Sequence, residues 1–153
     1  MDTFAPIEEL LPQRDPMLLL DAVVSGDESS IVAEVTVPET AWYLDEHGGM
    51  PAWIGIELMA QAIAAHAGML GASGGKPPKR GVLLGTRAFH ARVSSLRQGT
   101  LLHIAARIAD IDESGFGTFD CSIRNSRSEE LATATLKVFV PEDFEAFIRQ
   151  GET

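Results

Sequence analysis

The longest apolar run in the chain is residues 50–70, MPAWIGIELMAQAIAAHAGML, and its hydrophobic positions fall on every helical face rather than on one stripe. Pro51 suits a first helical turn, good helix formers follow from Ala52, and Gly71 with the Gly74–Gly75 pair marks the end. A helix that is apolar all round is expected to be buried all round. On either side the pattern changes to short segments. Residues 17–27, after Pro16, read as a buried strand, and residues 30–37 alternate as a strand with one open face. The turn at Asp27 and Glu28 makes an antiparallel hairpin of the two. After a Gly/Pro loop over 71–79 come four more strand-like segments: 81–93, broken or bulged near Gly85, then 100–111, 117–124 and 130–140. Residues 6–11 fit one helical turn and residues 143–150 a short terminal helix.

This order predicts an α+β fold in which a strongly curved antiparallel sheet wraps a long central helix. One sheet covers one side of such a helix, so the rest calls for a second copy or extended loops, and the chain is expected to dimerise. No repeat, low-complexity tract or linker interrupts the pattern, and residues 1–153 read as one domain.

Composition narrows the function classes. A net charge of −10 disfavours sequence-independent nucleic-acid binding. The single cysteine, Cys121, offers neither a disulfide framework nor a metal-ligand cluster, reads as a small core residue, and fits a reducing cytoplasm. The acidic N-terminal stretch MDTFAPIEEL does not look like a secretory signal. Residues 50–70 are long enough to span a bilayer, but Glu57, Gln61, His66 and the interspersed Gly and Pro argue against a membrane span. Charge is segregated: residues 1–57 hold twelve acidic side chains and one basic one, Arg14, whereas residues 58–109 hold seven basic side chains and no acidic one. The basic stretch is either a solvated face or a local patch for an acidic or phosphorylated partner.

Glu57 is the chemical anomaly. A carboxylate in an apolar helix is costly unless it is neutral, paired or used. Three motifs place it in a context. Residues 10–21, LLPQRDPMLLLD, carry a leucine pair, Pro, Arg, Pro, further leucines and Asp at characteristic spacing. Residues 51–61, PAWIGIELMAQ, open a helix with Pro and set an acid six residues on, followed by Gln. Residues 84–99 begin with Leu-Gly and carry arginines after the glycine, with about one residue more than the usual spacing. Together these resemble the hot-dog fold, and within it the β-hydroxyacyl-(acyl carrier protein) dehydratases; PAWIGIELMAQ is especially similar to a divergent branch associated with aryl polyene biosynthesis.

The resemblance implies dehydration of a 3-hydroxyacyl-(acyl carrier protein) to the trans-2-enoyl thioester in fatty-acid or aryl polyene type biosynthesis. It implies no metal and no cofactor beyond the phosphopantetheine that carries the substrate. Glu57 matches the family's helix acid. Gln61, one turn on, is expected to position it or simply to pack. The family's base is a loop histidine about eight residues before the helix proline, where this chain has Tyr43; the nearest histidine is His47, followed by Gly48 and Gly49. A shortened loop would make His47 the base; otherwise His47 is an exposed loop residue and the base is missing. His66, His90 and His103 read as structural. The Ala52 N–H, where the family usually has Gly, would bind the thioester oxyanion. Trp53, with Trp42 and Tyr43, would line the acyl tunnel or serve as core and interface aromatics. Lys79, Arg80, Arg92 and Arg97 are candidates to meet an acidic carrier protein. Two other readings remain: a hot-dog thioesterase using Glu57 and water, and a non-catalytic or half-site subunit of a hetero-oligomeric dehydratase. The partners implied are therefore an acyl carrier protein and either a homo-oligomer (dimer or trimer of dimers) or a heterodimer with another hot-dog protein.

Overall fold

A computed structural model describes residues 4–73 and 82–139 of the chain. In chain order these form α1 (Ile7–Leu10), β1 (Ala22–Gly26), β2 (Ser30–Thr36), β3 (Met50–Pro51), α2 (Ile54–Ser73), β4 (Val82–Ala91), β5 (Ser95–Leu96), β6 (Leu101–Ile111), β7 (Phe116–Asn125) and β8 (Glu130–Phe139). Six strands make one antiparallel sheet in the order β1-β2-β6-β7-β8-β4, and β3 pairs with β5 as a separate two-stranded piece. The expected strand–strand–helix–four-strand order is observed; the terminal helix expected over 143–150 lies outside the described residues.

Period-two alternation decides which face of the sheet is core. Leu102, Ile104 and Ala106 of β6, Phe119, Cys121 and Ile123 of β7, and Ala132, Ala134, Leu136 and Val138 of β8 are buried. They share a core with Leu58, Met59, Ala62, Ile63 and Ala65 of α2. Each large aliphatic side chain buried there contributes about 1.5–3 kcal/mol by leaving water. Cys121 is a core residue, and burial, with Asp120 alongside, pushes its thiol up to about 12. The β1–β2 turn is tied by Asp27, whose carboxylate accepts from the N–H and hydroxyl groups of both Ser29 and Ser30. His66, buried on α2, reaches the same turn, with Nε2 2.8 Å from the Asp27 carbonyl oxygen.

Two expectations need correction. The helix starts at Ile54 rather than near Pro51, because Met50 and Pro51 pair with Leu96 and Ser95 and the Ala52 N–H donates to the Ser94 carbonyl at 3.0 Å. Nor is α2 buried on every side within the chain. Ile56, Glu57, Ala60, Ala64 and Ala67 are only half-buried, and Trp53, just before the helix, is 63% exposed. These positions recur at three- and four-residue steps and so form one stripe. The sheet and α1 pack against the opposite face. The stretch Ile54–Gly71 passes a length-and-hydropathy test for a membrane span, but 56% of it is buried against the protein's own sheet, as in a core helix.

Candidate active site

Glu57 sits in the first turn of α2, on the open stripe. An acidic residue there is favoured by the helix dipole. Its Oε1 accepts a hydrogen bond from Gln61 Nε2 at 3.0 Å. Gln61 is fully buried and carries two further bonds, donating to the Met17 carbonyl at 2.7 Å and accepting from the Leu19 N–H at 2.9 Å. The i, i+4 spacing puts acid and amide on one face, and the amide ties both to the entry segment. Arg14 steadies that segment by donating from Nη1 to the Leu11 and Gln13 carbonyls at 2.6 and 2.8 Å.

His47 lies elsewhere on the chain. Its side chain is 87% exposed, with Nε2 3.7 Å from Glu46 as its ion-pair neighbour. The loop that carries it is nonetheless rigidly built. Asp45 Oδ1 accepts from the His47 and Gly49 N–H groups at 2.9 Å each, and Oδ2 accepts from the Ser95 hydroxyl at 2.8 Å. Gly48 has φ +78°, a left-handed conformation that glycine adopts without strain. A Cβ at Gly49 would strike the Ser95 hydroxyl. His47 lines an open cleft of about 600 Å³ with Asp45, Gly48, Gly49, Ser94, Ser95, Arg97 and Gln98. Glu57 is not among the residues that line this cleft.

The bonds to Asp45, from the Gly49 N–H foremost and then the Ser95 hydroxyl, hold its carboxyl below the usual aspartate range. A depressed folded pKa stabilises the loop fully above the unfolded value, about 3.9, and the contribution is lost only as pH falls through the lower folded value. The His47 and Gly49 amide protons, followed by NMR, should therefore keep their hydrogen-bonded shifts down to about pH 4. In Asp45→Ala they should lose those shifts at every pH; retention in that variant would contradict the assignment.

The remaining candidates divide. The Ala52 N–H is already donated to Ser94, so the expected oxyanion donor is occupied; the next N–H, that of Trp53, has no acceptor among the described residues. The Trp53 side chain is exposed just before α2, four residues ahead of Glu57, as an interface or tunnel aromatic would be. Trp42 and Tyr43 are apart from it. Trp42 donates from Nε1 to the Pro16 carbonyl at 3.0 Å, and both rings line a cleft of about 430 Å³ with Asp15, Asp21 and Thr36. Tyr43 is buried, and burial together with the nearby Asp21 carboxylate raises its phenol pKa. Arg97 is exposed on the His47 cleft, and Arg92 is exposed next to β4 with its N–H on the Leu131 carbonyl. Lys79 and Arg80 lie outside the described residues. Sequence reasoning missed the Asp45–Ser95 anchor. An Asp four residues before a glycine was its only local sign, and Ser95 is fifty residues away. Among the described residues no group of three His, Cys, Asp or Glu side chains is arranged to hold a metal.

No curated protein sequence matches the chain. Among solved structures, the dehydratase heterocomplex ApeI:P from Xenorhabdus doucetiae superimposes with a TM-score of 0.91 at 29% identity, over 99% of this chain and 100% of that one. Smu.793 from Streptococcus mutans, solved bound to acetyl CoA, is similar at TM-score 0.61 and 19% identity, over 78% and 86% of the two chains. The E. coli PaaI protein is similar at TM-score 0.59 and 19% identity, over 77% of each. The last two share the fold only. A family profile described as ApeP dehydratase matches residues 5–149, nearly the whole chain. The hot-dog sheet and helix, the entry segment and the Glu57 helix thus meet in one assignment: the chain belongs to the ApeP-like dehydratase family, the aryl polyene branch of the hot-dog dehydratases.

Proposed function

We propose that this chain dehydrates carrier-bound 3-hydroxyacyl thioesters as one subunit of a hot-dog heterodimer, supplying Glu57 as the acid of a site completed across the interface. The observation that carries the reading is the placement of Glu57. It is held by Gln61 on an open apolar stripe of α2, while the chain's own His47 faces a different cleft. The ApeI:P structure, a dehydratase heterocomplex, supports a second hot-dog chain as the cover for that stripe. A covered Trp53–Ala67 stripe also explains why the helix is apolar on all sides.

Dehydration needs a base for the C2 proton, an acid for the departing C3 hydroxyl and a donor to the thioester oxygen. In this reading Glu57 gives its proton to the hydroxyl, which leaves as water. The electron pair of the C2–H bond becomes the C2–C3 double bond, and the C2 proton goes to a base from the partner. The thioester oxygen, negative in the transition state, is met by the Trp53 N–H at the start of α2, where the dipole favours it. No metal or organic cofactor takes part; the substrate arrives on phosphopantetheine in the cytoplasm, and Arg92 and Arg97 are exposed cations suited to an acidic carrier protein.

The test is enoyl-thioester formation from a 3-hydroxyacyl-(acyl carrier protein) by the chain alone, by the chain with a hot-dog partner, and by both with His47→Ala. The proposal expects activity only in the complex and little change with His47→Ala. Dehydration by the chain alone, lost on His47→Ala, would overturn the heterodimeric assignment and make His47 the base of a homodimer. Release of free thiol without enoyl product would favour the thioesterase reading.

A further inference from the structure

The three hydrogen bonds of Gln61 leave no choice in how its amide is turned. Its Oε1 meets the Leu19 N–H and its Nε2 meets the Met17 carbonyl. A backbone N–H can only donate and a carbonyl can only accept. Two main-chain groups therefore decide which end of the amide is nitrogen, a choice that usually has to be inferred from the surrounding network. The second hydrogen of that nitrogen is then committed to Glu57 Oε1, 3.0 Å away. A proton on Oε1 would occupy one of its two lone-pair sites and make it a poorer acceptor for this N–H, whereas a proton on Oε2 leaves Oε1 as the carbonyl-type oxygen, the better acceptor.

We infer that Gln61 is a positioning residue that keeps Oε1 of Glu57 a permanent acceptor, so that Oε2 is the oxygen that carries and delivers the acid proton. The inference rests on the reading of Glu57 as the acid and sharpens it to one atom. In the dehydration step the Oε2–H bond breaks, the C3 hydroxyl takes that proton and leaves as water, and Glu57 is left as a carboxylate with Oε1 still on Gln61. The carboxyl thus changes protonation state without rotating. The backbone of residues 17–19, hydrogen-bonded to Glu57 through Gln61, sets the geometry of the acid. This gives the entry segment a function beyond packing.

A double-mutant cycle in the dehydrating assembly tests the inference, using Gln61→Met, Glu57→Gln and the two together. Methionine keeps the length and helical character of glutamine but has no amide hydrogen. Gln61→Met is expected to lower kcat about 10- to 100-fold with KM changed by less than about twofold, the scale of a lost hydrogen bond to a charged group. In the Glu57→Gln background the same change should cost less than about twofold, because the group it positions is gone. Equal losses in both backgrounds would overturn the inference and leave Gln61 a packing residue. Full activity of Gln61→Met would overturn it too, without touching the assignment of Glu57, which is read from Glu57→Gln alone. Should Gln61→Met not fold, the unaltered amide decides. In NMR spectra of the chain, Glu57→Ala should shift one of the two Gln61 Nε2 hydrogens and leave the one bonded to Met17 in place. Two unmoved hydrogens would overturn the inference.

Discussion

Glu57→Gln is expected to reduce dehydration at least about 10²-fold under saturating substrate while the protein melts at its usual temperature. The substitution keeps the size of the side chain and, with its amide oxygen turned to Gln61 Nε2, keeps the hydrogen bond at 3.0 Å. Only the transferable proton is lost. A 10²-fold effect corresponds to about 2.7 kcal/mol of transition-state stabilisation, within the range of a positioned acid. The fold should not register the change, because Glu57 is half-buried on the stripe that the sheet does not cover. The measurement is enoyl-thioester absorbance from the competent complex. Wild-type turnover would remove Glu57 from the mechanism; a matching fall in melting temperature would reassign the loss to folding.

Gly68→Ala should destabilise the chain, although glycine-to-alanine in a helix interior ordinarily stabilises by about 1 kcal/mol. The reason is the crossing of α1 over α2. A Cβ on Gly68 would run into the Leu10 carbonyl oxygen, with the carbonyl carbon at 2.8 Å and the Leu10 Cα at 3.0 Å. These are backbone atoms and cannot swing aside as a side chain could. Relief requires α1 to lift, and α1 carries Ile7 and Leu10 into the core with Leu11 directly behind them. Overpacking of this kind costs about 1–3 kcal/mol or more, which exceeds the propensity gain. For a chain of this size the melting temperature should fall by roughly 3–10 °C. A melt at or above wild type would show that α1 yields without loss. Because residues 17–19 follow α1 and hold Gln61, a displaced α1 should also lower kcat, which ties the stability effect to the site.

Much of this architecture is legible locally. The alternation in residues 101–111 and 130–139 names the core face of β6 and β8 residue by residue, because a strand pleat has a period of two. The bulge near Gly85 is legible as well, and the register of β4 against β8 shifts between Leu83 and Gly85. The entry segment and the Pro51–Gln61 motif suffice to place the chain in its dehydratase branch. Less legible is the start of α2. Helix propensity puts it at Pro51, but pairing with Ser95 and Leu96, more than forty residues away, takes Met50 and Pro51 into a strand and engages the Ala52 N–H. The same contact takes up the Ala52 N–H, the oxyanion donor expected from the sequence, and leaves the Trp53 N–H without an acceptor among the described residues. The anchoring of the His47 loop is equally non-local: its spacing to Pro51 suggests a shortened catalytic loop, and the bonds to Asp45 and, fifty residues on, Ser95 set the conformation of that loop.

The sequence by itself determined the order of elements, the faces of the strands and the family, and it singled out Glu57 as the candidate acid. These depend on side-chain periodicity and on short motifs, which act over a few residues. Tertiary structure alone decided three things: where α2 begins, which of its faces stays open, and which oxygen of Glu57 is held by Gln61. Each rests on hydrogen bonds or packing between residues forty or more positions apart, such as Leu19 with Gln61 and Ala52 with Ser94. The stretch that reads as a helix buried on every side is buried on one side by its own sheet. The other side, with Glu57 on it, is only half-buried within the chain.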